Sequence, residues 1–285
     1  MNKLLSAEFV RLCQSFVFKL GLFFSAGLGI FSVAMRWMDV REHPKIYAEA
    51  GAEYSSADGL IFAGGLYLIF AAAVLIGIFI GTEYGDGTIR NKLAVGHRRK
   101  NIYLSKLLAC WFASLLIHLL YIVVSLAMGS LLFGGTAMEG KEICIFTAAG
   151  TAAMMAFTSI LLLISMSVQS KAAGSVACLL FTMIMLFSSL TVSQMLDAPE
   201  YHDGYAYMDE DTGELTAGEE RNPRYLSGNK RKAYELFNDF MPVSQLYQIA
   251  RNDAGHFGRM MGYDGLMIFV TAGAGILIFQ KKDLK

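Results

Sequence analysis

The chain has 285 residues, of which 55% are hydrophobic and 17% are charged, and its formal net charge is zero. Ordinary soluble domains carry about a quarter charged residues, so the composition excludes that class. Uninterrupted apolar runs of roughly 20 residues also argue against a membrane β-barrel, whose strands are short and alternate in polarity. The sequence therefore predicts an all-α membrane protein.

Residues 1–19 combine charged and apolar side chains at helical spacing. The apolar positions are Leu4, Leu5, Phe9, Leu12 and Phe16, and the polar positions taken to oppose them are Lys3, Glu8, Arg11 and Gln14. This pattern predicts an amphipathic helix lying at the cytoplasmic membrane interface. A cytoplasmic extension of the first membrane helix is the alternative.

Six apolar segments are predicted to cross the membrane, whose hydrocarbon core is about 30 Å thick. They are Leu20–Met35, Leu60–Gly81, Leu107–Phe133, Ile143–Val168, Ala172–Leu196 and Met260–Gln280. The first and last have short uncharged cores, and we expect them to extend past Lys19 and Asp264, whose charges can snorkel to the interface. Helices 1–5 thus occupy residues 20–196, and residues 260–285 hold helix 6 and a tail.

Basic residues are concentrated on one side of this arrangement. Lys and Arg outnumber Asp and Glu in segments 1–19, 82–106, 169–171 and 281–285, and acidic residues dominate the opposite side. Because cytoplasmic loops are enriched in Lys and Arg, the basic side is predicted to be cytoplasmic. We therefore expect a multi-pass plasma-membrane protein with both termini in the cytoplasm.

Residues 197–259 are predicted to form a small extracytoplasmic α+β domain between helices 5 and 6. Aromatic and polar positions alternate on both sides of a turn-rich segment at 209–213, which predicts a β-hairpin. A helix at Lys230–Phe240 follows, with Tyr234, Phe237 and Phe240 on one face. Next, Val243, Leu246 and Ile249 are expected to lie along the membrane surface. A lid and a structural cap are both compatible with this pattern.

The loop at residues 82–106 is ordered beyond what topology needs. Gly85, Asp86 and Gly87 predict a turn, Thr88 can cap a helix over Ile89–Ala94, and Gly96 ends it. Its six basic residues could serve only to fix topology and to meet anionic lipids. We interpret the short helix, with Ile89, Leu93 and Ala94 as apolar contacts, as a docking element for a cytoplasmic partner.

This loop resembles that of the permease subunits of ABC-2 type exporters. In that family an E-x-x-x-G-T pattern between membrane helices two and three precedes a short coupling helix and a basic stretch. Here the pattern is Glu83-Tyr-Gly-Asp-Gly87-Thr88, and Gly96-His-Arg-Arg-Lys100 follows the helix. The amphipathic start, six spans and a domain between helices 5 and 6 also match the family layout.

The resemblance implies a permease subunit that pairs with a second permease subunit and with two ABC ATPase subunits. ATP and Mg would be bound by the partner, since the chain has no G-x-x-x-x-G-K-[ST] loop and no cofactor of its own is expected. The chain would thus be a transport subunit and not an enzyme. The residues implied in coupling are Glu83, Gly87, Thr88, Ile89, Arg90, Asn91 and Leu93.

Other features bear on cargo and on rival functions. His118 is the one histidine predicted in mid-membrane, where it could act in gating or substrate binding or form an interhelical hydrogen bond. The absence of an intramembrane charge cluster favours an amphipathic cargo such as a peptide, antibiotic or lipid. No metal site or nucleic-acid partner is expected. The rival hypothesis is a membrane-anchored sensor or immunity-type binding protein without transport.

Overall fold

The computed structural model describes residues 1–50, 56–208 and 215–282, which form a helical bundle with one β-hairpin. The first half comprises α1 (Asn2–Gln14), α2 (Phe16–Glu42), α3 (Pro44–Ala50), α4 (Asp58–Ile61), α5 (Gly64–Gly85), α6 (Thr88–Ala94) and α7 (Arg99–Phe133). The second half comprises α8 (Gly140–Val168), α9 (Lys171–Leu196), β1 (Tyr201–Met208), β2 (Leu215–Arg221), α10 (Gly228–Phe240), α11 (Pro242–Ala250) and α12 (Phe257–Lys281).

Six helical stretches in the described residues are long and apolar enough to cross a membrane, which confirms the predicted number. They are α2, α4 with α5, α7, α8, α9 and α12. Several extend beyond the predicted ends because charged residues can continue a helix outside the hydrocarbon. The 35 residues of α7 cover roughly 52 Å, so this helix projects well past the membrane core.

Charge burial differs from the sequence prediction at the start of α12. Asp264 was expected to reach the interface, yet it is buried in the bundle. The helix begins at Phe257, so Asp264 lies two turns inside and its short side chain cannot extend to the helix end as Lys can.

Helices α5, α7 and α8 form the centre of the bundle, and α2, α9 and α12 pack around them. Small residues allow these contacts. Ser25 on α2 donates a hydrogen bond of 2.6 Å to the Ile117 carbonyl on α7. A Cβ atom added to Gly77 on α5 would lie 2.6 Å from the Ser175 Cα on α9. The Gly21/Ser25/Gly29 and Gly77/Gly81 patterns therefore serve packing within the chain.

The N-terminal helix is separate from the first span. Ser15 has an extended backbone, with φ −64° and ψ 125°, which ends α1 and starts α2. The alternative of a continuous extension is therefore wrong. Glu8 is also buried beside Leu4 and Leu12, so it lies on the apolar face and not opposite to it.

The segment between α9 and α12 is only partly a separate unit. β1 and β2 pair antiparallel, with Tyr201 opposite Arg221 and Met208 opposite Leu215, which confirms the hairpin strands. The turn at 209–214 lies outside the described residues. Helix α10 is confirmed, but its buried residues are Asn238 and Asp239, whereas Phe237 and Phe240 are exposed.

Helix α11 lies inside the bundle and not along the membrane surface. Val243, Leu246 and Ile249 are buried, and the helix packs against α5, α8 and α9. Ser244 also donates a 2.8 Å hydrogen bond to the Ser189 hydroxyl on α9. Burial between helices removes the apolar stripe from water more completely than a position at the membrane surface would, which explains the difference from the prediction.

We expect Gly77→Ala to destabilise the fold by roughly 1–3 kcal/mol, because its methyl group would overlap the backbone of α9. Gly27→Ala on α2 is the matched control, since no heavy atom lies within 4 Å of its added Cβ. Thermal unfolding in nanodiscs measures both. Equal midpoints for the two variants would contradict the packing described for α5 and α9.

Candidate functional site

Five charged side chains meet where α1, α5, α6 and α7 converge, and we call them the charge cluster. The cluster consists of Glu8 and Arg11 on α1, Glu83 on α5, Lys92 on α6 and Lys106 on α7. Glu8, Glu83 and Lys106 are almost completely buried. Arg11 and Lys92 retain side-chain exposures of 31% and 20%.

The two carboxylates of the charge cluster each contact all three cations. Lys92 Nζ lies 2.6 Å from Glu8 Oε1 and 2.8 Å from Glu83 Oε1. Lys106 Nζ is 3.4 Å from Glu8 Oε1 and pairs directly with Glu83 Oε2. Arg11 reaches Glu8 Oε2 at 2.9 Å and Glu83 Oε1 at 2.5 Å. Four helices are thus connected through one network.

The local sequence explains how each charge reaches this point. Leu4, Glu8 and Leu12 recur every four residues, so they share the face of α1 that packs inward. Glu83 ends α5 on its buried side. Gly87 has a left-handed backbone, with φ 66°, and turns the chain so that α6 folds back beneath α5. Lys106 lies two turns into α7 and faces the same space.

The charge cluster has one more cation than anion. Arg11 is further stabilised by the aromatic ring of Phe79, whose centroid lies 3.8 Å from the guanidinium carbon. Its Nε atom is buried and has no hydrogen-bond partner among the described residues. The loss of an anion would therefore cost more than the loss of a cation, because it would leave the excess positive charge larger.

Helix α6 has an inner and an outer face. Ile89 is buried and Leu93 is half-buried against the core, whereas Ala94 is exposed, so the bundle itself uses two of the three apolar contacts assigned to docking. Arg90 and Asn91 are exposed. Val95, just after the helix, is 80% exposed and adds an apolar tip to this outer face.

The ends of α6 match the predicted turn but not the predicted cap. Gly87 is the N-cap, and Thr88 is the first helical residue, whose hydroxyl donates to the Glu83 carbonyl at 3.2 Å. Gly96, with φ 91°, ends the helix as expected. Glu83 pairs with Lys92, Lys106 and Arg11.

Helix α12 ends close to the same side of the bundle. Arg99 at the start of α7 donates a 2.9 Å hydrogen bond to the Phe279 carbonyl and a second one to the Lys282 carbonyl. Lys282 in turn donates to the Ser167 carbonyl at the end of α8, and partial burial lowers the pKa of Lys282. These contacts anchor the C-terminal helix near the basic loop.

His118 lies far from the charge cluster, in the centre of the bundle. Its ring fits between Gly65 on α5 and Gly150 on α8, where an added Cβ at Gly150 would lie 3.1 Å from Nε2. Neither ring nitrogen has a partner among the described residues, so the structure does not support the interhelical hydrogen bond considered for it. A role in gating or substrate contact stays a prediction.

The family model for ABC-2 family transporter proteins matches residues 15–284, nearly the whole chain. The chain belongs to the ABC-2 transporter family. No curated protein matches it. As a member, the chain is a membrane transport component that is not itself catalytic. The family generally works with ABC ATPases. The charge cluster of this ABC-2 protein includes Glu83 from the family pattern and four residues outside that pattern.

For this ABC-2 protein we expect Glu83→Gln to lower the free energy of unfolding by roughly 3–5 kcal/mol, the range for breaking a buried ion pair. Lys106→Met should cost less, because it makes the cluster neutral and leaves Glu83 with Lys92 and Arg11. Thermal midpoints in nanodiscs provide the comparison, with exposed Lys230→Gln as a control. A larger loss in Lys106→Met than in Glu83→Gln would refute this charge balance.

Proposed function

We propose that the chain is the membrane-spanning permease of an ATP-driven exporter, and that a separate ATPase docks on the outer face of α6 and the adjacent basic stretch. The observation that carries the proposal is the charge cluster. It joins α6 to α1, α5 and α7, so a force applied to the short helix reaches two membrane helices and the N-terminal helix together.

The docking surface follows from the two faces of α6. The inner face, with Ile89 and Leu93, fixes the helix to the bundle. The outer surface combines exposed Arg90 and Asn91 with the apolar tip at Val95. These exposed side chains offer a partner both polar and apolar contacts, the combination found in protein interfaces.

The proposed orientation places this end of the bundle in the cytoplasm. The basic segments 1–19, 82–106 and 169–171 and the basic residues at 281–282 surround the charge cluster or the adjacent helix ends, as the positive-inside rule requires for a cytoplasmic face. In this orientation α1 is the cytoplasmic amphipathic helix. The β-hairpin and α10 are extracytoplasmic, and both termini are cytoplasmic in a plasma membrane.

The proposed mechanism transmits movement through rigid elements. Closure of the ATPase dimer on ATP pushes α6, and the ion pairs to Glu8, Glu83 and Lys106 carry the displacement into α1, α5 and α7. Gly87 and Thr88 form the turn between α5 and α6 and set the angle at which the force enters. In this mechanism His118 on α7, whose ring lies between Gly65 on α5 and Gly150 on α8, senses the resulting rearrangement or contacts cargo.

An apolar groove between α2 and α5 supports an amphipathic cargo. The groove has a volume of about 730 Å³ and is lined by aromatic and aliphatic side chains, including Phe23, Phe24, Phe31, Tyr67 and Phe70. A peptide, antibiotic or lipid with an apolar part could enter it from the bilayer. We further propose a second permease subunit and two ATPase subunits, which bind ATP and Mg.

The test is co-purification from native membranes with a C-terminal affinity tag. We expect wild-type protein to retain a Walker-type ATPase and Arg90→Glu to lose it, because the reversed charge disrupts the outer face of α6. Lys230→Glu, an exposed reversal on α10, is the matched control and should retain the ATPase. Each sample is checked for membrane insertion and for an unchanged thermal midpoint.

The outcomes separate the two candidate functions. An ATPase retained equally by wild type, Arg90→Glu and an additional Val95→Asp variant would exclude α6 as the docking site. If intact protein brings down no ATPase in any sample, the membrane-anchored sensor or binding protein replaces the exporter.

A further inference from the structure

The carboxyl group of Asp264 on α12 lies inside the bundle without a hydrogen-bond donor. The residue is 1% exposed, and both of its carboxyl oxygens are buried with no partner among the described residues. Buried polar groups in proteins are almost always hydrogen-bonded. Asp58, which is also buried, follows this rule, because it accepts hydrogen bonds from the Thr136 hydroxyl and from the Ala137 backbone N–H. Asp264 therefore needs a different explanation.

The Gln245 side chain on α11 has an unused acceptor. Its Nε2 atom donates to the Asp239 carbonyl at 2.8 Å and to the Met260 carbonyl at 3.3 Å, which engages both N–H groups of the amide. These two carbonyls also fix the orientation of the amide, since a flipped amide would direct its oxygen at two other oxygens. The Oε1 atom is buried and receives no hydrogen bond from the described part of the chain.

Gln245 and Asp264 lie side by side. Met260, whose carbonyl holds the Gln245 amide, is about one helical turn before Asp264, and the Gln245 side chain lies against the Asp264 carboxyl. An ionised Asp264 would add two acceptors to an amide oxygen that already lacks a donor, in a buried site where charge is costly. A protonated Asp264 has one O–H donor, and Gln245 Oε1 can accept it.

Other titratable groups near the start of α12 do not supply a partner. Asp239 on α10 pairs with Arg259 and lies 3.8 Å from His256 Nδ1. Helices α7 and α8 also pack on α12, and the titratable side chains of their spans in this half of the bundle are His118, Tyr121 and Cys144. Within the described residues, none of these groups forms a hydrogen bond or an ion pair with Asp264.

We propose that Asp264 holds a proton inside the bundle and donates it in a hydrogen bond to Gln245 Oε1, so that the proton fastens α12 to α11. The same amide donates to the Asp239 carbonyl near the end of α10, so the link joins three consecutive helices. Because the oxygen atoms are occluded, the proton can exchange with water only when α11 and α12 separate. Loss of the proton would place unshared acceptors against each other and favour that separation.

The experiment is infrared spectroscopy at neutral pH on full-length protein in nanodiscs of ether-linked phosphatidylcholine, which lack the ester carbonyls that overlap the bands of carboxylic acids. We expect a carboxylic-acid C=O band in wild type that shifts in heavy water and is lost in Asp264→Asn. Asp58→Asn is the matched control and should keep the band, because both oxygens of Asp58 already accept hydrogen bonds. Labelling wild-type aspartates with carbon-13 at the carboxyl group should shift the same band without any substitution.

A second pair of variants tests the acceptor. Gln245→Met should raise the frequency of the band, because the O–H group loses its hydrogen bond. Gln248→Met is the matched control, since Gln248 also donates to a backbone carbonyl of α10, that of Asn238, at 3.1 Å. It should leave the frequency unchanged.

Two results would overturn the proposal. The absence of a carbon-13-sensitive acid band in wild type, or its persistence in Asp264→Asn, would show that Asp264 holds no proton. An equal frequency in wild type and Gln245→Met would show that Gln245 is not the acceptor. None of these measurements depends on the ATPase.

Discussion

The charge cluster is the constraint on which the end of the bundle around α6 depends. Two buried carboxylates and a buried lysine are stable away from water only because the opposite charges are within a few ångströms of each other. No pair of helices could satisfy this requirement alone, since the five residues come from four helices. The cluster therefore ties α1 and α6 to the ends of α5 and α7 through ion pairs, in addition to the apolar contacts of Leu4, Leu12 and Ile89.

This constraint explains how α6 could serve in the proposed docking of an ATPase. Because its inner face is held by Ile89 and by the Lys92 ion pairs, its outer face is free to carry a partner without the helix detaching. A seven-residue helix would be unstable in isolation, so its order reflects tertiary contacts and not intrinsic propensity. An ABC-2 permease needs such a fixed element if force from an ATPase is to reach the membrane helices.

Sequence patterns predicted the parts of the fold that depend on local composition. The six spans, the short helix after Gly87 and the hairpin strands all follow from hydrophobicity and turn residues within one segment. The charge cluster was not predictable in the same way, because Glu8 and Lys106 are far apart in the chain. One signal was available: Glu8 lies between Leu4 and Leu12 on the apolar stripe, and a carboxylate there needs a buried partner.

Helix α11 shows a second limit of sequence patterns. Its stripe of Val243, Leu246 and Ile249 is equally compatible with a membrane surface and with a protein interior, and only packing against α5, α8 and α9 decides between them. The polar face of α10 was missed for a related reason. The sequence placed Tyr234, Phe237 and Phe240 on one face of α10, whereas the buried residues of this helix are Asn238 and Asp239.

If the charge cluster transmits force as proposed, α1 and the turn before α6 move as one unit. The most direct test is a pulsed electron-spin distance measurement between labels at the exposed positions Val10 and Asp86. The labels are introduced into protein purified with its ATPase, with exposed Cys13 and Cys144 replaced by Ala. We expect one narrow distance distribution that is the same with and without ATP. A distribution that shifts or broadens with ATP would show that the two elements move separately and would contradict the proposed transmission.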